Sequence, residues 1–288
     1  MKLYKYCPPE RIDFFPNFTL RATPPNEFND IYECNVNIVK LDKNSFIDRF
    51  ILGRRNEILD AVFRNKQLTD SDESIALCNF ANQNFTAFCK TFVEKINKFS
   101  DPKEIEERKI FLKNKCYEIA GRTIGILCFS KKYNNLLMWG HYTQNHAGFV
   151  IEIEISDTLW KKYSSTVETQ GFGIREVIYT DQIPEMIIDD CYNIKLPKYF
   201  AYTKNFKWNY EEEIRWVFPT QCTYEKNLID IKYLLGEDCL KSITLGIRTP
   251  IIVEKQIRSL LKRLPGVILY RTKQTDDKCL LTREEIKI

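Results

Sequence analysis

The sequence predicts an α+β fold, with a mixed, mostly antiparallel sheet core and a helical insertion. Short strand candidates occur along most of the chain, but they do not alternate regularly with helices as in a doubly wound fold. A block of long helical periodicity interrupts them between residues 45 and 121. The 288 residues are 44% hydrophobic and 28% charged, which is typical of a globular protein. We therefore expect a single α+β domain over residues 1–288, with 45–121 as a helical insertion or subdomain.

The strand candidates are short runs of apolar, aromatic and β-branched residues bounded by turn residues. They are Leu3–Tyr6, Thr19–Thr23, Thr123–Phe129, Gly148–Ile155, Ile174–Tyr179, Glu211–Phe218, Ile229–Tyr233, Ser242–Ile247, Val267–Thr272 and Leu280–Ile286. The segment Pro24–Asp30 predicts an irregular turn. Helices are predicted between strands at Asn135–Asn145 and, after the capping residue Thr249, at Pro250–Leu264.

Within the insertion, apolar residues at helical spacing predict two helices. They are marked by Phe46, Phe50, Ile58 and Val62, and by Ile75, Phe80, Phe88, Phe92 and Ile96. A third helix is predicted to begin at Asp101, because Asp101 is a capping residue and Pro102 fits the first helical position. Glu104 is the matching capping-box partner, and the helix is expected to run to about Ala120.

Composition excludes several classes of protein. No stretch approaches the roughly 18 apolar residues of a membrane-spanning helix, and the first residues form no apolar signal region. We therefore expect a cytoplasmic protein with no membrane partner. The net charge of +4, from 43 basic and 39 acidic residues, is smaller than is usual for a dedicated nucleic-acid binder.

The sequence predicts no bound metal. Its ten cysteines include no C-x-x-C pair, whereas zinc sites need closely spaced ligands. We expect most of these cysteines to be small buried hydrophobic residues. The two histidines, His141 and His146, are five residues apart, which separates them by roughly 140° around a helix.

Both histidines lie in one aromatic segment, Leu136–His146. On a helix, Tyr142 and His146 share a face at i, i+4, and Trp139 lies near Tyr142 at i, i+3. One interpretation is an aromatic and imidazole face beside a ligand. The other is that Trp139 and Tyr142 pack in the core while a histidine bonds a backbone carbonyl.

A second informative segment is Glu211–Phe218. Read as a strand, it directs alternate side chains to opposite faces. One face is apolar and consists of Ile214, Trp216 and Phe218; the other carries Glu211, Glu213 and Arg215. The charged face is either part of a site or a solvated strand face with cross-strand ion pairs.

Several motifs together resemble a known bacterial family. They are Leu3-Tyr4-Lys5-Tyr6, Phe28-Asn29-Asp30 with Glu33, Cys128-Phe129-Ser130, Met138-Trp139-x-His141-Tyr142 with His146-x-Gly148, and Trp208-x-Tyr210-Glu211-x-Glu213-x-Arg215. This pattern resembles the family named domain of unknown function 2971, from residue 3 to about 270, and residues 128–153 are its most specific part. Ile31 departs from the family, in which proline is frequent at this position. The family name implies no activity.

The layout resembles that of ADP-ribosyltransferases. This resemblance implies a first strand whose Tyr4, Lys5 or Tyr6 contacts NAD, although arginine or histidine is more common there. It also implies a second strand ending at Ser130 and a helix beneath the nicotinamide. The NAD-contacting residues of that helix would be Trp139, His141, Tyr142 and His146, with Tyr142 or Trp139 stacked on the nicotinamide.

The third strand of the resemblance carries Glu211-x-Glu213. Glu213 is expected to stabilise the positive charge that develops on the ribose when the nicotinamide bond breaks. Glu211 is expected to orient or deprotonate the acceptor. Arg215 is expected to pair with Glu211 or to bind a phosphate. We also expect Phe28-Asn29-Asp30 to meet the segment Met138–His146 at one cleft, with Asn29 or Asp30 hydrogen-bonded to that helix or its neighbours. The alternative is a plain turn held by Asn29 alone.

The resemblance implies an enzyme with NAD as its substrate and a macromolecular acceptor, protein or nucleic acid, for the ADP-ribose. Hydrolysis of NAD is the variant without such an acceptor, and a toxin or phage-defence effector is the expected role. Two alternatives stay open. One is a metal-independent RNase-like effector with His141, His146, Glu211, Glu213 and Arg215 around a phosphate. The other is a non-catalytic module that binds a ligand or a partner.

Overall fold

The computed structural model describes residues 1–41, 102–188, 196–220 and 227–288. The chain divides into two compact units. The first comprises Met1–Asn35, Tyr117–Ile183 and Lys198–Ile288, and the second comprises Val36–Cys116 and Pro184–Pro197. The two helices predicted between residues 45 and 100 lie outside the described residues, so the helical insertion remains a prediction.

An eight-stranded sheet forms the centre of the first unit. With strands numbered in chain order, its members are β1 (Lys2–Cys7), β4 (Ile124–Ser130), β5 (Phe149–Glu154), β6 (Gly173–Glu176), β10 (Glu213–Pro219), β12 (Leu240–Leu245), β13 (Ile268–Gln274) and β14 (Leu281–Glu285). Their order is β14-β13-β12-β5-β1-β4-β10-β6. All neighbours are antiparallel except the parallel pair β12 and β13. The predicted α+β class with a mixed, mostly antiparallel sheet is confirmed.

The described residues also form three small two-stranded sheets. In the first unit, β2 (Thr19–Arg21) pairs with β11 (Leu228–Asp230), and β7 (Ile178–Tyr179) pairs with β9 (Thr203–Lys204). In the second unit, β3 (Asn37–Leu41) pairs in parallel with β8 (Glu185–Ile188).

The helices agree only in part with the sequence-based prediction. They are α1 (Phe14–Asn17), α2 (Pro102–Thr123), α3 (Leu136–Tyr142), α4 (Asp157–Gln170), α5 (Ile231–Leu235) and α6 (Ile251–Leu261). Helix α2 corresponds to the third helix predicted in the insertion and runs to Thr123, past its expected end near Ala120, while its predicted cap Asp101 lies outside the described residues. The prediction that Thr249 caps α6 is wrong, because its hydroxyl donates to the Gly148 carbonyl at 2.8 Å. None of these helices is long and apolar enough to cross a bilayer.

Helix α4 was not predicted, although its ends carry recognisable signals. The Ser156 hydroxyl accepts a hydrogen bond from the Leu159 amide, and Gly171 ends the helix with a φ of 76°. Serine at the start and glycine at the end are common helix boundaries.

The two faces of the large sheet are covered differently. One face carries the main apolar core, in which Trp216 packs against Tyr163 of α4 with ring centroids 4.7 Å apart. The opposite face is covered at β1 by α3, where Trp139 meets Tyr6 edge to face. Burial of both faces requires apolar residues on both sides of the central strands.

The sheet opens between β1 and β4. These strands pair at Tyr4 and Ser130, but farther along β4 the partner of Ile126 is Thr23, from a different segment. Between those two positions, the Cys128 carbonyl accepts a hydrogen bond from the Lys5 ammonium at 2.9 Å. A side chain therefore bridges the strands where backbone pairing is interrupted, and this leaves room for a cavity.

The approach of β1 to the start of β5 requires glycine at position 148. A Cβ atom there would lie 2.0 Å from the Cys7 carbonyl oxygen. We expect Gly148→Ala to lower the free energy of unfolding by about 2 kcal/mol or more, because backbone must move to relieve the clash. Chemical denaturation measures this change.

Gly140→Ala is the matched control, since nothing lies within 4 Å of its added Cβ and the residue is helical. We expect this variant to be neutral or stabilised by about 0.5–1 kcal/mol. Equal stability of the two variants would contradict the close approach at Gly148.

Candidate functional site

A cavity of about 410 Å³ lies in the first unit, where β1 and β4 separate. Its lining consists of Tyr4, Lys5, Tyr6, Thr23, Glu27, Phe28, Asn29, Glu33, Cys128, Phe129, Ser130, Met138, His141, Tyr142, Lys204, Glu211 and Glu213. This volume is within the range of small-molecule sites, roughly 300–1,000 Å³. Most residues predicted for the site meet here. The exceptions are Asp30, Trp139, His146 and Arg215, which are outside the lining.

Glu211 reaches the cavity by a route that differs from the predicted one. It ends a 3-10 helix, Phe206–Glu211, and the next residue, Glu212, has a φ of 42°. Strand β10 begins only at Glu213. The prediction that Glu211 and Glu213 share a strand face is therefore wrong. The turn nevertheless brings their carboxylates together at Lys204, whose ammonium lies 2.6 Å from Glu211 and 3.2 Å from Glu213.

Five charged residues form what we call the buried ionic cluster. Its members are Glu33, Lys204, Glu211, Glu213 and Arg215, each at most 5% exposed. The Lys204 ammonium also lies 3.1 Å from the Glu33 carboxylate. The Arg215 guanidinium donates to both oxygens of Glu213, at 2.9 and 3.1 Å, and to Glu33. Buried charges are tolerated when they are paired in this way.

The position of Arg215 corrects two expectations. Its side chain is fully buried, and it also donates a hydrogen bond to the Ala201 carbonyl at 2.9 Å. It pairs with Glu213 and Glu33 instead of Glu211, and it does not face the cavity as a phosphate ligand would require. The alternative of a solvated strand face is also wrong. Strand β10 lies between β4 and β6 and is buried on both faces.

The two carboxylates have opposite protonation behaviour. Burial opposes the ionisation of Glu213, but the charges of Arg215 and Lys204 outweigh it and hold the pKa at about 2. Burial raises the pKa of Glu211 above its ordinary value; Lys204 opposes this shift and the negative charge of Glu213 adds to it. At neutral pH, Glu213 is thus a fixed negative charge, and Glu211 is the better proton acceptor and donor.

Tyr142 connects Glu211 to the predicted turn. Its hydroxyl donates to the Glu211 carboxylate at 2.6 Å and accepts from the Asn29 amide at 3.5 Å. The predicted convergence of Asn29 with the segment Met138–His146 is confirmed. Asp30 has a different position, since one carboxylate oxygen accepts from the Tyr32 amide at 2.9 Å. Asp30 thus stabilises the turn and does not line the cavity.

Trp139 and His146 lie outside the cavity. Helix α3 ends at Tyr142, and His146 has a φ of 69°, so the predicted helical face shared by Tyr142 and His146 is wrong. The His146 ring instead stacks on Trp139 with 6.1 Å between centroids. Trp139 is fully buried and donates to the Tyr133 carbonyl, as its core-packing interpretation requires. His141 does line the cavity, with its Nδ1 3.2 Å from the Tyr210 hydroxyl.

Residues of β1 and β4 complete the walls. The Ser130 hydroxyl donates to the Glu211 backbone carbonyl at 2.7 Å and so fixes the start of the turn into β10. The Tyr6 hydroxyl donates to the Lys132 carbonyl at 2.9 Å. Tyr4 and Lys5, also from β1, line the cavity as well.

Sequence reasoning missed Lys204 and gave Glu33 no role. Glu33 stands three residues after Asp30 in the quoted motif, so its proximity was a usable signal. The sequence around Lys204 does not predict that its side chain is buried. That burial depends on a partner that is distant in sequence and on partners that the turn before β10 brings close. Within the described ranges, no group of three or more His, Cys, Asp or Glu residues has a geometry suited to a metal ion.

The comparisons with known proteins give one family match. Residues 138–216 match the family model described as "Protein of unknown function (DUF2971)", which supports the resemblance to that family over this part of the chain. The matched range includes Tyr142, Lys204, Glu211 and Glu213. Comparison with curated proteins and with solved structures gave no match.

Arg215→Ala tests whether the buried ionic cluster stabilises the fold. We expect a loss of about 3–5 kcal/mol in the free energy of unfolding, because two buried carboxylates lose a partner. The control is Arg122→Ala, which removes an i, i+4 pair with Glu118 from a side chain that is 76% exposed. This control is expected to cost about 0.5 kcal/mol or less. Urea denaturation measures both, and equal losses would contradict the importance of the cluster.

Glu211→Gln tests the raised pKa of Glu211. A raised folded-state pKa contributes stability that is present below the ordinary value of 4.5 and is lost as pH rises through the raised value. We expect the stability of the wild type relative to Glu211→Gln to decrease with rising pH, by about 1.4 kcal/mol per unit of pKa shift. Denaturation at a series of pH values measures this difference. A wild-type advantage that grows with pH would contradict the shift.

Proposed function

We propose that this protein cleaves the N-glycosidic bond between nicotinamide and ribose in NAD, transferring ADP-ribose to a macromolecular acceptor or to water. The observation that supports this proposal is the pair Glu211 and Glu213. The two carboxylates line one cavity, contact one ammonium and differ in their protonation. Paired groups whose environments separate their pKa values are typical of acid–base assignments in enzymes.

Glu213 suits the electrostatic part of this reaction. As the nicotinamide leaves, positive charge develops on the ribose, and a nearby carboxylate stabilises that charge most when it is fully ionised. Arg215 and Lys204 hold Glu213 in its ionised form. They also fix its position before the reaction begins, so no reorganisation is needed as the charge develops.

Glu211 suits the proton transfer. A water molecule or an acceptor hydroxyl becomes a better nucleophile when a base takes its proton, and a carboxylate with a raised pKa is suited to that role near neutral pH. The hydrogen bond from Tyr142 orients the Glu211 carboxylate. The Ser130 hydroxyl holds the Glu211 backbone, so this base is attached to a well-ordered position.

The size and layout of the cavity also support the proposal. Its volume of about 410 Å³ suits a nicotinamide ring with its ribose, and Tyr142 and His141 provide aromatic surfaces for a planar ring. The strands β1, β4 and β10 are consecutive neighbours in the sheet. The resemblance to ADP-ribosyltransferases takes these three as its first, second and third strands, so their adjacency brings the residues assigned to them to one cavity.

The alternative of RNA cleavage has less support. It needs a general acid, a general base and a cation around a phosphate. Of the residues considered for it, Arg215 is fully buried and His146 stacks on Trp139 outside the cavity lining.

Glu213→Gln is the central test, because it keeps the shape of the side chain and removes its charge. We expect the rate of nicotinamide release from NAD to fall about 10²-fold or more, with a smaller change in KM, since the carboxylate acts mainly in the transition state. The measurement is a time course of nicotinamide release, accompanied by circular dichroism to establish folding.

Glu212→Gln is the matched control. Glu212 is the intervening residue, its side chain is 37% exposed, and it pairs with Lys132 at the surface. This variant is expected to keep the wild-type rate. Full NAD turnover by folded Glu213→Gln would refute the assignment. A wild type that degrades RNA and leaves NAD intact would favour the RNase, and inertness towards both would favour a binding module.

A further inference from the structure

The buried ionic cluster does not balance its own charge. It contains three carboxylates, Glu33, Glu211 and Glu213, but only two cations, Lys204 and Arg215. All five side chains are at most 5% exposed, so bulk water and salt screen the excess poorly. One negative charge therefore requires a further proton or cation.

The excess charge faces the cavity. The three carboxylates and Lys204 belong to the cavity lining, whereas Arg215 lies behind it. Glu33 supplies a second, independent sign of a missing partner. One of its carboxylate oxygens, Oε1, is buried and accepts no hydrogen bond in the described part of the chain; its ionic neighbour is the shared ammonium of Lys204 at 3.1 Å.

Other ionisable groups near the cavity have other hydrogen-bond or ion-pair partners. The Lys5 ammonium donates to the Cys128 carbonyl, and Glu27 pairs with Arg21. His141 contacts the Tyr210 hydroxyl. Among the described residues, Lys204 and Arg215 are the cations within 4.0 Å of the cluster carboxylates. The Lys5 ammonium lines the same cavity but is not among the cations within 4.0 Å of these carboxylates. At contact distance, the missing charge therefore comes from a proton on the cluster or from a ligand.

We propose that the cavity selects a planar cationic ligand, and that the positive charge of this ligand takes the place of a proton on Glu211. The identity of the ligand rests on the proposed function, in which the planar cation is the oxidised nicotinamide ring of NAD. The reduced ring has the same size but carries no charge. Selection of the oxidised form thus follows from the charge balance of the cluster and needs no difference in shape.

The surroundings of Glu211 identify it as the group that holds the proton. The titratable and charged groups around its carboxylate are Tyr142, Tyr179, Lys204, Tyr210 and Glu213. Burial raises its pKa, Lys204 opposes the shift and Glu213 adds to it. An added cation favours the ionised carboxylate, so its binding releases the proton to solvent and leaves the total charge of the site unchanged.

The test compares two probes of nearly equal shape, 1-methylnicotinamide, which is a cation, and nicotinamide, which is neutral. Binding of each to the full chain is measured by titration calorimetry from pH 4.5 to neutrality, in two buffers with different heats of ionisation. We expect the cation to bind about tenfold tighter or more. We also expect its binding to release up to one proton at pH values where Glu211 is protonated.

Glu33→Gln gives the cluster two carboxylates and two cations, so we expect it to abolish the preference for the cationic probe. Glu212→Gln is the control that should keep it. Should Glu33→Gln fail to fold, Glu211→Gln provides the second test, because it also leaves two carboxylates and two cations and has no proton to release. Its preference for the cationic probe and the buffer-dependent heat should both be lost.

The outcomes separate this inference from the proposed function. Equal affinity for the two probes, absence of binding by both, or cation binding without proton release would overturn the inference, even if NAD is cleaved. Preference for the cation with no cleavage of NAD would support the cationic site and refute the proposed function.

Discussion

The burial of Arg215 is the constraint on which the rest of the site depends. A guanidinium with no exposed surface is tolerated only when carboxylates and carbonyls replace its water. Glu213, Glu33 and the Ala201 carbonyl supply that replacement. They come from β10 itself, from the segment after the turn at Pro24–Asp30, and from the residues just before β9. The hydrogen bonds and ion pairs of the Arg215 guanidinium therefore bring three distant parts of the chain together beside the central strands.

The cavity is a consequence of this assembly and of an interrupted sheet. The segment that follows β2 pairs with β4 at Ile126 through Thr23, which displaces β1 from that part of the strand. A continuous ladder would place backbone at the gap, whereas here Lys5 reaches across to Cys128. The same segment then continues to Asn29 and Glu33. This one segment thus interrupts the sheet and also places polar side chains at the resulting gap.

The sequence predicts local features of this site better than its long-range ones. The strands of the large sheet, the orientation of Glu213 away from the core and the meeting of Asn29 with the Met138–His146 segment follow from alternation and turn chemistry. The predicted strand Ile229–Tyr233 is wrong beyond Asp230, because Ile231–Leu235 forms α5, and β3, β8 and β9 were not predicted. The displacement of Glu211 from β10 was missed because it depends on the left-handed backbone of Glu212, a residue with no strong preference for that conformation. Burial of Lys204 was missed because its partners lie up to 171 residues away in the chain, and no periodicity encodes such a separation.

Sharing of Lys204 explains how residues only two apart differ in protonation. Glu213 receives charge from Arg215 as well as from Lys204, and these two cations overcome the cost of burial. Glu211 has the shared ammonium and the neutral hydroxyl of Tyr142, and it also faces the negative charge of Glu213. Because one ammonium serves three carboxylates, its stabilisation is divided, and the carboxylate without a second cation, Glu211, is the one whose pKa is raised. The buried ionic cluster that stabilises the fold thus also determines the pKa of Glu211, the proton-transfer group. A change that gave the cluster equal numbers of carboxylates and cations would remove the reason for Glu211 to titrate differently from Glu213.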